Sequence, residues 1–203
     1  MTAIQPAERR RLQSRAEARR AILDATEALL VEDGATAFSM RRLAERCGYT
    51  PPTIYHYFGD KQRLLDELLD ERCRTLVRSL RRVGLDGDPV RDLRALSVAF
   101  ARFGLRNPTH YALLAAPRDP ELPPPPAAEE ARVLLSQPID QLAAESRLCV
   151  DVEAARQSFW AFLHGLILLR TTRPDLEWAK DVLEVGLDAL IRGLVRGGAG
   201  DPA

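Results

Sequence analysis

The chemistry in this chain concentrates in one short run, SMRRLAERCGYTPPTIYHYFGDK, at residues 39–61. Thr53, Tyr55, His56 and Tyr57 crowd a segment opened by Thr50, Pro51 and Pro52 and followed by Lys61. Hydroxyls, a ring N–H and an ammonium grouped near a helix start are donors suited to phosphate oxygens. The threonine methyl can touch a thymine methyl. Arg41, upstream, can fork onto guanine O6 and N7, a contact worth roughly 1–3 kcal/mol of base discrimination. The competing reading is two aromatics packed in a small core with charged neighbours. Elsewhere the inventory is thin. His56, His110 and His164 are the three histidines, and they stand in no metal-ligand spacing. No Gly-rich phosphate loop or nucleophile elbow occurs, so an enzyme is not expected, nor a metal or cofactor. Cys47, Cys73 and Cys149 are isolated and odd in number, which reads as reduced thiols in a cytosol.

The elements that must position these groups are helical, because no segment alternates at period two for long enough to make a strand. Ser14 and Glu17 have capping-box spacing and mark the expected start of the first helix. Ala18, Ile22, Ala25, Thr26, Leu29 and Leu30 share its apolar face, and Gly34 ends it. Ser39 is the expected N-cap of a short second helix, with Phe38 stapling onto Leu43 and Gly48 closing it. Gly48-Tyr49-Thr50 then make the turn of a helix-turn-helix, with Ala44 allowing close approach and Leu43 and Ile54 fixing the crossing. Thr50 caps the next helix. Proline is acceptable in its first turn, although Pro52 disfavours the α conformation at Pro51 and predicts a start one residue late. A fourth helix runs from Asp60 to Leu80.

Glycines in VGLDGDP, residues 83–89, predict a hinge before the C-terminal helices. Helices are then expected from Asp88-Pro89 to Leu105 and from Asn107-Pro108 to Ala116. PRDPELPPPP, residues 117–126, reads as a rigid extended spacer. Further helices are expected over 127–147 with a break near Pro138, over 151–171 and over 175–196. Ten helices without strands predict an all-α fold: a helix-turn-helix domain at residues 1–63, with a basic arm at 1–13, and a larger helical bundle at 64–203.

Charge agrees with that division. Lys+Arg and Asp+Glu both total 29, yet residues 1–63 hold eleven basic against eight acidic side chains, net +3, leaving net −3 beyond. Residues 1–20 hold six Arg against two Glu. A basic N-terminal module on an acidic body fits a double-stranded DNA reader attached to a domain with another task. The start has no apolar signal-peptide core and the apolar stretch at residues 159–169 is too short to span a bilayer, so a cytoplasmic protein without membrane contact is expected.

The run Thr53-Ile54-Tyr55-His56-Tyr57-Phe58-Gly59-Asp60-Lys61, following Gly48 and preceding Leu64-Leu65, resembles the DNA-binding domain of the TetR (tetracycline-repressor-like) family over residues 15–65. The resemblance implies a homodimer of helical subunits that represses transcription until a small-molecule effector binds the C-terminal domain. It places Arg41, Pro51, Pro52 and Thr53 at base-facing positions and Tyr55, Tyr57 and Lys61 at phosphate-contacting ones. Ser39, Arg42, Thr50 and His56 complete the expected DNA-binding set. The paired prolines depart from most members. An activator, or a helical interaction module without salt-dependent DNA affinity, are the rival readings.

In the C-terminal half, Trp160-Ala161-Phe162-Leu163-His164-Gly165 looks like the Trp…His-Gly signature of one class of TetR C-terminal domains, as do Asn107-Pro108, His110-Tyr111 and the proline-rich stretch. Phe100, Phe103, His110, Tyr111, Trp160 and His164 are the candidate ligand-binding residues, mostly aromatic, which points to an uncharged or weakly polar ligand. The alternative has His164 packing and bonding locally, with Gly165 allowing close helix approach. Phe159, Leu163, Leu166, Leu183, Gly186, Leu187, Leu190 and Leu194 are the expected dimer interface, two helices per subunit meeting in a four-helix contact as the family implies. Two-fold symmetry would set the recognition helices about 34–36 Å apart on a palindromic operator. A ligand favouring a wider separation would release the DNA.

Overall fold

The structure, a computed structural model, describes residues 6–115 and 123–196, and among these nine helices follow one another. They are α1 (Pro6–Ala37), α2 (Met40–Cys47), α3 (Pro51–Phe58), α4 (Lys61–Leu80), α5 (Pro89–Arg106), α6 (Pro108–Ala115), α7 (Pro126–Ala144), α8 (Val152–Thr172) and α9 (Val182–Leu194). The fold is all-α. The described residues add only an isolated antiparallel bridge, Leu148 to Val195, beside which Cys149 N donates to the Leu194 carbonyl at 2.9 Å. No helix among them is long and apolar enough to cross a membrane. Two units divide the chain, Met1–Leu69 and Asp70–Ala203. The division falls inside α4, where the sequence reading sets it at residue 63.

In the first unit, α1 starts at Pro6 and not at Ser14. Proline suits a first helical turn, and Ala, Glu, Arg, Leu and Gln then carry the helix past the capping signal. Gly34, at φ 74° and ψ 168°, breaks the helix where expected, and a few helical residues follow to Ala37. Ala18, Ile22, Thr26, Leu29 and Leu30 are buried and Ala25 is half-buried, so the apolar face is the predicted one. Thr26 returns its hydroxyl to the Ile22 carbonyl at 2.8 Å.

The second unit is organised around α5, whose Leu93, Leu96, Phe100 and Ala101 lie at the centre of one core with Leu142, Ala155, Ile167 and Leu187. Gly104 lets α8 approach: a Cβ there would sit 2.8 Å from Ile167 Cδ1. Gly186 does the same for α9, where a Cβ would sit 2.2 Å from Phe162 Cζ. Residues 83–89 are not the free hinge their glycines predict. Asp92, buried, accepts from the backbone N–H of Asp86 at 3.0 Å and of Gly87 at 3.2 Å, and Asp88 caps α5. Most of the proline-rich stretch lies outside the described residues. At its end, Pro125 occupies the N-cap of α7 and has no side chain to bond there. Asp70 supplies the missing acceptor from α4, taking the Ala127 N–H at 2.8 Å.

Three boundaries differ from expectation. α7 continues through Pro138, which is buried with Ile139 and Leu142. Packing on both sides holds the helix together despite a proline cost of about 3 kcal/mol. α9 begins at Val182, because Arg173 and Pro174 open a loop that Asp175 closes on Arg173 at 2.7 Å and Trp178 ties to the Arg173 carbonyl. The described helices number nine, where ten were expected, since 126–144 is one helix.

The largest correction concerns the expected dimer face. Phe159, Leu163, Leu166, Leu183 and Leu187 are buried inside the single chain, Gly186 packs on Phe162, and Leu190 and Leu194 are half-buried against the same core. The core of the second unit therefore takes up the five buried residues itself, while Leu190 and Leu194 keep part of their surface in solvent. What α8 and α9 leave exposed is Trp160, Leu168, Leu169 and Val185.

Candidate nucleic-acid interface and aromatic site

Two caps and one turn build the first site. The Ser39 hydroxyl accepts from Arg42 N at 3.3 Å and starts α2, while Gly48, left-handed at φ 70°, ends it and lets Tyr49 N reach the Ala44 carbonyl at 3.0 Å. Thr50, extended at φ −94° and ψ 153°, then caps α3, accepting from Thr53 N at 3.4 Å with the two hydroxyls 2.9 Å apart. Pro51 and Pro52 fill the first two helical positions, so α3 starts at Pro51 and not one residue late. Neither needs an N–H there, and Ile54 N closes the turn on the Thr50 carbonyl at 3.2 Å. Two turns later the helix ends at Phe58.

Ile54 and Phe58 are buried against the same interior as Leu43 and Ala44. The helical period then turns the remaining residues outward. Pro52, Tyr55 and His56 are exposed, with Pro51, Thr53 and Tyr57 half-buried at the flanks. Arg41 and Arg42 are exposed on α2, Arg41 with 87% of its side chain accessible and paired to Glu45 at 3.0 Å. That pair lies in water and is worth little, so a stronger partner can take the guanidinium. Lys61 is more committed. Its Nζ donates to the Phe38 carbonyl at 3.1 Å and lies 5.1 Å from the centre of the Phe38 ring. The expected residues of α2 and α3 are thus exposed or half-buried, Lys61 stands at the start of α4, and Ser39 and Thr50 spend their hydroxyls on the helix starts.

Sequence reasoning missed Arg19. Its guanidinium donates to the Tyr57 carbonyl, forms an ion pair with Glu67 through two nitrogens, and lies 4.5 Å from the centre of the Phe58 ring. One side chain therefore ties α1 to the end of α3 and to α4. Only its place at the margin of the apolar face, beside Ala18 and Ile22, hints at this. Arg19→Ala is expected to cost about 1–3 kcal/mol locally. It should accelerate hydrogen exchange of the α2 and α3 amides on the order of ten- to a hundredfold. Unchanged exchange would show that the contacts are decorative.

The second site gathers four of the six expected ligand-binding residues, His164 with Trp160, Phe100 and Tyr111 around it. The His164 ring centre lies 4.8 Å from Trp160, 5.3 Å from Phe100 and 5.4 Å from Tyr111. Phe103 is half-buried against the core, and the His110 side chain lies outside the described residues. Gly165 makes no close approach, since a Cβ there would meet nothing within 4 Å. Tyr111, almost wholly buried, places its hydroxyl 2.8 Å from His164 Nδ1 and 3.0 Å from the His164 carbonyl oxygen. A carbonyl only accepts, so the single hydroxyl proton goes to it, and Nδ1–H donates to the tyrosine oxygen. His164 is thereby assigned as the neutral Nδ1–H tautomer, with its lone pair on Nε2. Burial holds the imidazole down at about 4 and pushes the Tyr111 phenol up to about 12. Both groups are neutral at pH 7. Trp160 is 63% exposed on the outer side of this cluster.

A trough of about 410 Å³ runs elsewhere, along α5, lined by Val83, Arg91, Arg94, Ala95, Val98, Ala99 and Arg102, and touches none of these residues. Arg91 is tied to Asp86 at 3.1 Å and Arg94 to Asp188 at 2.9 Å.

Comparison with known proteins gives a consistent result. The profile of "Bacterial regulatory proteins, tetR family" matches residues 22–68, and that of "Tetracyclin repressor-like, C-terminal domain" matches residues 93–194. No curated protein matches significantly. Among solved structures, NalD of Pseudomonas aeruginosa, the secondary repressor of the MexAB-OprM multidrug efflux pump, is similar at 25% identity. The TM-score is 0.66, with 90% of this chain and 98% of that one covered. PfmR, a TetR family transcriptional regulator of Thermus thermophilus, shares the fold at 24% identity and TM-score 0.64, covering 96% of this chain and all of its own. A TetR family transcription regulator of Marinobacter aquaeolei does so at 21% and 0.65, covering 91% and 99%.

Proposed function

Because the chain belongs to the TetR family of bacterial regulatory proteins, we propose that it acts as a homodimeric repressor, held on a palindromic operator and released by a small molecule. The observation that carries the reading is the outward surface of α3, where Thr53, Tyr55, His56 and Tyr57 present donors while Ile54 and Phe58 anchor the helix from behind. Donors at a helix start address phosphates, and Arg41 on α2 is free to exchange its exposed pair for a guanine edge. A repressor role is supported by likeness to NalD, itself a repressor. A DNA reader of this kind works in the cytoplasm. Dimerisation follows from the apolar side chains that α8 and α9 leave in water, Leu168, Leu169 and Val185.

The cluster around His164 suits the effector. It offers aromatic faces, one exposed indole and, at Nε2, a neutral acceptor, so the ligand is an uncharged or weakly polar molecule with an N–H or O–H to donate. Binding that prefers one of two arrangements of the dimer shifts the population by its differential affinity.

Selection of bound duplexes from a random pool, at two salt concentrations, tests the reading. A recovered palindrome with steep salt dependence is expected, and no binding even at low salt would refute it. On the selected duplex, Arg41→Ala should relax preference at one position per half-site, by about 1–3 kcal/mol, whereas Tyr55→Phe should weaken all duplexes alike. Identical uniform effects would show that the roles are misassigned.

A further inference from the structure

We propose that the trough along α5 is a second ligand site, built for a monoanionic amphiphile, a carboxylate carrying an unbranched apolar tail. It shares no lining residue with the His164 cluster. Its volume of about 410 Å³ falls in the small-molecule range of about 300–1,000 Å³. Helical spacing sets its shape. Leu93, Leu96, Phe100 and Ala101 turn one face of α5 into the core, and Arg91, Ala95, Val98 and Arg102 share the opposite face. The outward face of such a helix is ordinarily polar along its whole length. Here its middle is apolar. Ala95, Val98 and Ala99 are half-buried, and Val83, just past α4, lines the same trough. Alanine serves the helix by its own propensity, but a β-branched valine does not.

Arg91 and Arg102 stand at the two ends of this apolar floor, about 16 Å apart along the axis at 1.5 Å per residue. Their pairing decides which end takes the charge. Arg91 is held by Asp86 at 3.1 Å and Asp88 at 3.8 Å, and Arg94, on the flank, by Asp188 at 2.9 Å. Arg102 is exposed and has no carboxylate among the described residues. A ligand carboxylate there gains a forked, charge-assisted pair. Its tail then runs over Val98 and Ala95 toward Arg91, where the aliphatic stems of Arg91 and Arg94 extend the apolar surface. Asp86, Asp88 and Asp188 at that far end repel further negative charge, so a phosphate-bearing or polyanionic ligand fits poorly. An uncharged ligand would leave Arg102 unused.

The test titrates the full chain, carrying labelled alanine and valine methyl groups, with octanoate, and with octanol and acetate as its neutral and tailless counterparts. Octanoate should shift the nuclear magnetic resonance signals of Ala95, Val98 and Ala99 and leave those of the His164 ring in place. Octanol should bind about tenfold more weakly or worse, since it forgoes the charge-assisted pair, and acetate should not saturate. Arg102→Gln, at an exposed position, should weaken octanoate by about tenfold or more while leaving octanol unchanged. Ala95→Glu, which sets a carboxylate on the floor, should abolish octanoate binding, and circular dichroism checks that both variants are folded. Octanol or acetate binding as tightly as octanoate would overturn the proposal, as would a folded Arg102→Gln chain that binds octanoate like wild type. So would shifts confined to the His164 cluster or spread over the whole surface, or no shift at about 5 mM octanoate.

Discussion

A glutamate in place of Val185 is expected to leave the subunit folded, split the dimer and weaken operator binding by about 10²–10⁴. Val185 is 57% exposed on α9, and Leu168 and Leu169 are each 47% exposed on α8. Two-fold contact would bury these side chains at roughly 25 cal/mol per Å² of apolar surface. A carboxylate buried there without a partner costs several kcal/mol, more than one such residue returns. On the proposed palindromic operator a monomer would read one half-site and lose the avidity of the linked second half-site without any change to α3. Leu187→Glu provides the contrast, because Leu187 is fully buried in the single chain and its loss should unfold the second unit. Sedimentation and far-ultraviolet circular dichroism separate the two outcomes. A Val185→Glu chain that remains dimeric would move the interface away from this face of α9.

That contrast marks where the sequence is legible. Ser39, Gly48 and Thr50 are local signals, each acting within four residues, and they place α2 and α3 correctly. The helical period likewise identifies the face of α1 that is buried. The period states which residues share a face, but not what meets that face. Leu183 and Leu187 on one side of α9 and Val185 on another are the same kind of letter, and only the positions of α5 and α7 decide which are consumed internally. Long-range choices were also hidden at Pro138, where flanking packing outweighs a local break, and at Asp70, which caps α7 from a helix distant in sequence. Ser14 and Glu17 show the converse failure, since a valid capping box lost to a run of good helix formers before it. The aromatic site was legible as types, Trp160, His164 and Tyr111, but not as a hydrogen-bonded tautomer.

That tautomer sets a pH response. The folded chain keeps His164 neutral down to about 4, whereas an unfolded histidine protonates below about 6.5. Between these values the unfolded state binds more protons, so His164 favours folding above pH 6.5 and that contribution is lost as pH falls through 4. The difference corresponds to about 3 kcal/mol between neutral pH and about pH 4. The stacked Trp160 face returns part of the cost of the imidazolium, leaving a loss of about 2–3 kcal/mol. Protonation puts a charge among Phe100, Tyr111 and Trp160 and removes the Nε2 lone pair, so the acceptor proposed for the effector disappears in the same window. His164→Gln cannot titrate. Its stability in urea should fall less than that of wild type between about pH 7 and pH 4, by the same 2–3 kcal/mol, while carboxylate losses remain common to both chains. Nitrogen chemical shifts of His164 should report a neutral ring with Nδ1 protonated at about pH 6, where a free histidine is mostly charged. A ring already charged there, or equal acid sensitivity in the two chains, would mean that His164 is solvated and that Tyr111 does not fix its tautomer.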